Sequence, residues 1–448
     1  MLKRRIEGEI VHWLEESRKA LIVSGARQVG KTFTIRAVLN ERKADFAEFN
    51  LIRDRQVLEV LRQFSTVDDL ILKLSLFSPK KLIPHKTVIF FDEIQEFPEI
   101  VTVVKFLVED GRFRYVLSGS LLGVEIRNIR SAPVGSLQSL TMYPLDLGEF
   151  LQLFNLSPEV AEHLRDCYEQ KRPVDPSVHE RMDEIFHLYL IIGGMPAAVE
   201  TYRRTNNIDD VMAEHRAIIE QYKQDFTKYE AEDRRLFLTR IYDLIPSELN
   251  EKNKRFNISD VQKAARFDRV REGFLWLTAA GVALPCYNVT APALPLALNE
   301  KASLFKLFLS DVGMLTSLYG RAVKLQIVTR QAVNKGAVFE NVIAQELTAH
   351  GYPIYYYASK KWGELDFVLE HDGKVLPIEV KSGKDYTRHS ALNNVLQVRD
   401  YELSQAVVFS SANVETKGKI TYYPAYMVMF LQEGGKESGV LPLSRFSF

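Results

Sequence analysis

The stretch Gly25-Ala26-Arg27-Gln28-Val29-Gly30-Lys31-Thr32 fits the phosphate-cradling pattern G-x-x-x-x-G-K-[ST] at every constrained position, and it decides how the first third of the chain is read. Gly25 and Gly30 permit a turn tight enough to aim successive backbone N–H groups at phosphate oxygens, and the helix that follows adds unpaired donors and its dipole. Lys31 reaches the outer phosphates, while the Thr32 hydroxyl is placed for magnesium. Just before the loop, Ala20-Leu21-Ile22-Val23 reads as a buried parallel strand, and Phe33 to Leu39 continues as a helix. Strand, loop and helix are the context the motif requires, so residues Gly25 to Thr32 are expected to bind ATP.

A second strand answers the first. Thr87-Val88-Ile89-Phe90-Phe91 is apolar and ends in Asp92-Glu93. Asp92 would hold the magnesium with Thr32, and Glu93 would act as the catalytic base that polarises the attacking water. A third run, Tyr115-Val116-Leu117-Ser118-Gly119-Ser120, ends in small polar residues, of which Ser118 or Ser120 would sense the terminal phosphate. The competing reading of that end is a plain Ser-Gly-Ser turn. Strands alternating with helices up to residue 150 predict an α/β fold, a doubly wound parallel sheet with its ligand at the strand carboxyl ends.

Composition narrows the remaining classes. Lys plus Arg and Asp plus Glu both total 58 in 448 residues, so overall charge carries no nucleic-acid signature and any such contact must be local. Cys167 and Cys286 lie far apart without metal-ligand spacing, which suits a reducing, cytoplasmic setting. The basic start Met1-Leu2-Lys3-Arg4-Arg5 is not followed by an apolar region, and no stretch approaches the length of a membrane span; neither a signal peptide nor a membrane partner is expected. Ile6, Ile10, Trp13 and Leu14 recur at helical spacing and predict an amphipathic opening helix packed on the nucleotide domain.

Beyond residue 150 the pattern changes. Residues 151–245 read as helical, interrupted near Pro173 and at Gly193-Gly194-Met195-Pro196, where Pro196 suits a first helical turn; neither break carries obvious chemistry. Residues 246–325 read as helix, helix and strand (Gly281 to Val289), the outline of a winged helix. Arg266, Arg269 and Arg271 would contact DNA phosphates in that outline, or be solvated side chains of a packing module.

Residues 326–448 hold a hairpin that can be built from sequence. Asp372-Gly373 is a two-residue turn signal, so Leu369 should face Leu376, Phe367 should face Ile378, and Leu365 should face Val380. The opposite face then sets Asp366 across from Glu379, with β-carbons about 5 Å apart, an unfavourable pairing unless a cation lies between them. Paired carboxylate oxygens suit magnesium or manganese. Lys381, two residues beyond Glu379, would position or activate a water, and Glu340 on a preceding apolar helix would complete the metal ligands. Asp, then Glu-x-Lys on the next strand, is the PD-(D/E)xK nuclease arrangement. Lys384, Arg388 and His389 would suit a phosphate backbone. A solvated charged face, with Glu364 paired to Lys381, is the other reading.

In this order these residues, with Phe91-Asp92-Glu93-Ile94-Gln95, Tyr143-Pro144-Leu145, Glu149-Phe150 and Ile378-Glu379-Val380-Lys381-Ser382, resemble a family of bacterial and archaeal AAA-type ATPases whose C-terminal domain of unknown function holds a restriction-endonuclease-like core. The resemblance spans nearly the whole chain and implies an ATPase, a winged helix and a nuclease-like mixed-sheet domain in sequence. Many such proteins carry Gly-Arg before the Pro-Leu segment, whereas Gly135 here is followed by Ser136, so an arginine-finger role passes to Arg127 or Arg130, or is absent. The expected function is an ATP-hydrolysing domain coupled to a metal-dependent, DNA-directed nuclease, with an ATP-gated, non-cleaving binding switch as the rival; homo-oligomerisation is compatible with either.

Overall fold

The computed structural model describes residues 2–120, 135–228, 232–251, 254–257, 261, 267–331 and 335–433. Two sheets organise them. The first has five parallel strands in the order β2 (Phe46–Asn50), β3 (Val88–Asp92), β4 (Arg114–Ser118), β1 (Ala20–Ser24), β5 (Leu137–Thr141). Its strands alternate their side chains between two cores: Leu21 and Val23 face one, Ala20 and Ile22 the other. Because all five run the same way, the ends of β1, β2, β3 and β4 meet at one edge, and Asn50 is in register with Asp92. The opening helix Ile6–Glu16 buries Ile6, Ile10, Trp13 and Leu14 as expected.

The helical region consists of Pro158–Glu169, Pro176–Ile192, Pro196–Thr205, Ile208–Lys228 and Glu232–Asn250. Pro196 stands in the first turn of its helix, where its missing N–H leaves no bond unmade. The Gly193 to Pro196 break, chemically silent in the sequence, is a joint: Gly194 N–H donates to buried Asp311 at 2.6 Å, and its carbonyl accepts from Leu145 N–H at 2.7 Å. No single helix among the described residues is long and apolar enough to cross a membrane.

The second sheet has eight strands in the order β12 (Glu415–Lys417), β13 (Ile420–Pro424), β11 (Ala406–Ser410), β10 (Lys374–Val380), β9 (Gly363–His371), β8 (Tyr355–Ser359), β6 (Ala283–Val289), β7 (Glu300–Leu309). This corrects the expected separate wing. The strand after the helix Phe267–Ala279 pairs with β7 and also, in parallel, with β8, so its backbone groups are satisfied inside the C-terminal sheet. Residues 246–325 and 326–448 therefore share one hydrogen-bonded sheet. Of the three arginines assigned to DNA, Arg266 lies outside the described residues, the side chain of Arg269 likewise, and Arg271 is exposed.

One apolar core runs from Ile6 through the helical region to Leu431, joining one face of each sheet. The outer face of each sheet has its own smaller core.

Candidate functional sites

The phosphate loop leaves β1 at Gly25, whose φ of +140° and 2.1 Å approach of a would-be Cβ to the Met142 carbonyl oxygen admit only glycine. Lys31 opens the helix Lys31–Glu41 and folds back on its own loop, its ammonium donating to the carbonyls of Gly25 at 2.9 Å and Ala26 at 2.7 Å. Burial brings its pKa down to about 8, against the pull of Glu93 and Asp92.

Opposite the loop, Asp92 gathers three donors. Thr32 Oγ1 donates to Oδ1 at 2.9 Å, Asn50 Nδ2 to Oδ2 at 3.0 Å, and Ser118 Oγ also reaches Oδ1. Thr32, Asp92 and Ser118 are thus brought together because β4 lies between β1 and β3. Glu93 turns out of the strand in left-handed backbone (φ 59°, ψ 43°), and its carboxylate accepts from Gln95 Nε2 at 2.5 Å. Ser120 is not turned to the Asp92 group: its Oγ accepts from Arg27 Nε at 3.2 Å.

The loop is also held from outside. Arg27 pairs with Asp225 at 2.8 Å, Tyr222 Oη donates to the Arg27 carbonyl at 3.1 Å, and Gln28 meets Gln221. Arg4 spans the other flank, donating to the Val29 carbonyl at 2.9 Å, the Tyr143 carbonyl at 2.7 Å and Glu149 at 3.0 Å. Sequence reading missed these partners. Asn50 was missed as well, although a polar residue closing a strand is a signal that could have found it. Arg127 and Arg130 lie outside the described residues.

The second constellation begins with the β9–β10 hairpin. Asp372 (φ 49°) and Gly373 (φ 67°) form the expected turn, and Leu369 with Leu376 and Phe367 with Ile378 pair in the expected register. The pairing ends there. A register shift against β8 puts Leu365 in the outer core with Val368, while Val380 joins the inner one, so Leu365 does not face Val380. Freed from the ladder, Asp366 accepts the Val380 N–H on Oδ2 at 2.9 Å.

Glu340, Asp366 and Glu379 are all buried, and Lys381 is half-buried. Burial first and the Asp366 carboxylate second push Glu379 up to about 8 and Glu340 up to about 7. Lysines answer the carboxylates: Lys381 Nζ lies 2.6 Å from Glu379 Oε1, Lys254 meets Glu340 Oε1, and fully buried Lys306 lies 2.7 Å from Glu364. Glu364 is thus taken by Lys306, which removes the simple Glu364–Lys381 pair.

Oxygen Oε2 of Glu340 and of Glu379 is buried with no hydrogen-bond partner. Hard carboxylate oxygens of this kind fit magnesium or manganese in chemistry. In arrangement an ammonium already sits on the other oxygen of each, and among the described residues no three His, Cys, Asp or Glu side chains are grouped to hold a metal ion. The expected sharing of one ion by Glu340, Asp366 and Glu379 is therefore not the arrangement found. His389 is not open to a phosphate backbone, because it is buried and its Nε2 lies 2.7 Å from Tyr422 Oη; Lys384 and Arg388 are exposed.

A family model described as an AAA domain matches residues 17–151. Residues 17–151 form an AAA-type ATPase domain. Two further models, both described as domains of unknown function (DUF8612 and DUF4143), match residues 183–325 and 335–427. Among solved structures, the chain is 16% identical to a Walker-type ATPase of Pyrococcus abyssi, covering 71% of this chain and 96% of that one with a TM-score of 0.43. Cdc6p from Pyrobaculum aerophilum is 12% identical over 74% and 96%, with a TM-score of 0.27. Drosophila ORC bound to DNA is 14% identical over 75% and 97%, with a TM-score of 0.28. No curated protein matches the chain.

Proposed function

We propose that ATP bound and hydrolysed in the AAA-type domain governs a metal-dependent, PD-(D/E)xK-type nuclease site in the C-terminal sheet, acting on DNA. The observation that carries the second half is that Glu340, Asp366 and Glu379 are all buried and near enough for the other two charges to bear on Glu379, with Lys381 on Glu379 and one oxygen each of Glu340 and Glu379 left unpartnered. In water-free surroundings such oxygens are stable only if a cation reaches them or they are protonated.

In the ATPase half, Thr32 and Asp92 would hold magnesium and Glu93 would take the proton of the attacking water once freed from Gln95. Ser118, hydrogen-bonded to Asp92, is the better candidate of the two serines for sensing the terminal phosphate. In the nuclease half, Glu340, Asp366 and Glu379 would hold a divalent ion, which would supply Lewis-acid chemistry toward a scissile phosphate, and Lys381 would orient the attacking water. Exposed Lys384 and Arg388, beyond the end of β10, would meet the nucleic-acid backbone.

The rival reading is an ATP-gated module that recognises DNA or a protein without cutting. It is favoured by the lysines on Glu340 and Glu379 and by the absence of a ready three-carboxylate group among the described residues. Incubating the purified chain with supercoiled plasmid, ATP and either magnesium or manganese separates the two. Cutting that Asp366→Ala and Lys381→Ala both abolish supports the nuclease; binding of plasmid with no cutting under any of these conditions, unchanged in Asp366→Ala, refutes it.

A further inference from the structure

Lys254 has no role in a PD-(D/E)xK site, yet its ammonium sits on Glu340. It arrives from outside the C-terminal sheet, just past the helix Glu232–Asn250, in left-handed backbone with φ of 44°. The segment that carries it is anchored. Asn257 N–H donates to Glu248 of that helix at 2.8 Å, Phe256 N–H donates to the Phe305 carbonyl of β7 at 3.1 Å, and the Phe256 ring packs 4.9 Å from Phe274. Lys254 is therefore held between the helical region, through Glu248, and β7, through Phe305, and its place on Glu340 depends on how these two sit.

The same region grips the phosphate loop. The helix Glu232–Asn250 is fastened to Ile208–Lys228 by the Lys223–Asp243 ion pair at 2.9 Å and the Phe226–Tyr242 contact at 5.9 Å. Ile208–Lys228 carries Tyr222 and Asp225, which hold Arg27 together with Ser120. A second route runs through Gly281, where a Cβ would stand 2.8 Å from the Ala26 nitrogen. That turn leads into β6, which pairs with the β7 strand that anchors Phe256. Phosphate entering the loop must draw Lys31 off the Gly25 and Ala26 carbonyls, and the contacts from Gly281 and from Ile208–Lys228 lie on Ala26, Arg27 and Gln28.

We propose that Lys254 is a tethered cation that occupies the Glu340 corner of the nuclease-like site in place of a divalent ion, and that nucleotide in the phosphate loop withdraws it through these helices. The inference rests on reading the Glu340, Asp366 and Glu379 cluster as a metal site. An ammonium and a divalent ion repel each other and compete for the same oxygen, so metal enters only as Lys254 leaves. The coupling then runs both ways: metal at the cluster favours nucleotide, and nucleotide favours metal.

Two measurements on the full chain test this. Manganese titration without nucleotide, read by the electron paramagnetic resonance of free manganese, should show Asp366-dependent binding about tenfold tighter in Lys254→Met than in the unaltered chain, within the range of coupling between linked sites. Equal, Asp366-dependent affinities would overturn the tethered-cation inference and leave the metal site standing. No Asp366-dependent binding in either protein would overturn the metal-site reading and this inference with it. The second measurement needs no substitution at Lys254: its acylation rate, read by mass spectrometry, should rise with magnesium and a slowly hydrolysed ATP analogue, and not in Lys31→Ala. Protection of Lys254 unchanged by nucleotide in the unaltered chain would refute the control by nucleotide.

Discussion

Replacing Asp366 with Asn removes one charge from the buried cluster while keeping an oxygen that can accept the Val380 N–H. Glu379 stands at about 8 in the folded chain against its ordinary 4.5, so its ionised form is destabilised by about 5 kcal/mol relative to water. Burial is the larger cause and the Asp366 charge the next. At an effective dielectric of about 20 one like-charge pair costs about 4 kcal/mol at roughly 4 Å and about 2 kcal/mol at roughly 8 Å, and a share of that order is what the substitution should return. The sign depends on pH. A carboxyl raised in the folded state binds more protons than the unfolded chain, so its contribution to stability is intact below pH 4.5 and is lost as pH rises through about 8. In chelator, Asp366→Asn should therefore unfold a few degrees higher than the unaltered chain at pH 8.5, with the difference vanishing near pH 5. Added manganese should stabilise the unaltered chain at pH 8.5 and not the variant. Differential scanning calorimetry at the two pH values decides. A variant that is less stable by the same amount at both would mean that Asp366 serves only as an acceptor for the Val380 amide.

Two further outcomes follow from the ATPase site. Lys31, at about 8 when the loop is empty, should regain its proton on triphosphate binding, so calorimetry in buffers of differing ionisation enthalpy should find close to one proton taken up per ATP at pH 9 and almost none at pH 7. Uptake that does not change between these pH values, or that persists in Lys31→Ala, would assign the proton to another group. Glu93→Gln should bind ATP with little change and lose turnover by about a hundredfold or more, because an amide cannot take a proton from water. Steady-state phosphate release at the unaltered rate would remove Glu93 from the role of base.

What could be read from residue order was whatever follows from local geometry. The phosphate loop was legible because its glycines, Lys31 and Thr32 act within one turn, and Asp92 because a buried strand must stop where its side chains turn to solvent or ligand. The hairpin register followed from a two-residue turn and held as far as Phe367 and Ile378. It failed one step later because a bulge against β8 shifted Leu365 to the outer core, and that shift is set by a neighbour more than five residues away in sequence. The wing was misassigned for the same reason: β6 looks like the end of a small module in sequence, and only the parallel pairing with Tyr355 to Tyr357 of β8 makes it an inner strand of the larger sheet. Arg4, Tyr222, Asp225, Lys254 and Lys306 carried no signal, since an isolated charged or aromatic residue in a helical or basic stretch is most simply a solvated or packing side chain.

Those unsignalled residues share one property: each joins segments far apart in the chain, and together they make the two sites parts of one body. The helix Gly336–Ala349 shows how directly. Glu340 near its start belongs to the carboxylate group, while Glu346, somewhat more than one and a half turns on, accepts the Leu147 N–H of the AAA-type domain at 3.0 Å and the Tyr189 hydroxyl of the helical region at 3.1 Å. Burial, then the nearby Asp146 charge, raise Glu346 well above the carboxylate range, so its seat is set by those hydrogen bonds and not by an exposed ion pair that salt could loosen. A helix fixed at Glu346 cannot carry Glu340 away from Lys254 without breaking buried contacts, whereas the segment bearing Lys254 is tied through Asn257 to the helices that touch the phosphate loop as well as through Phe256 to β7. If the pair opens as proposed, it is the Lys254 side chain that leaves and Glu340 that stays.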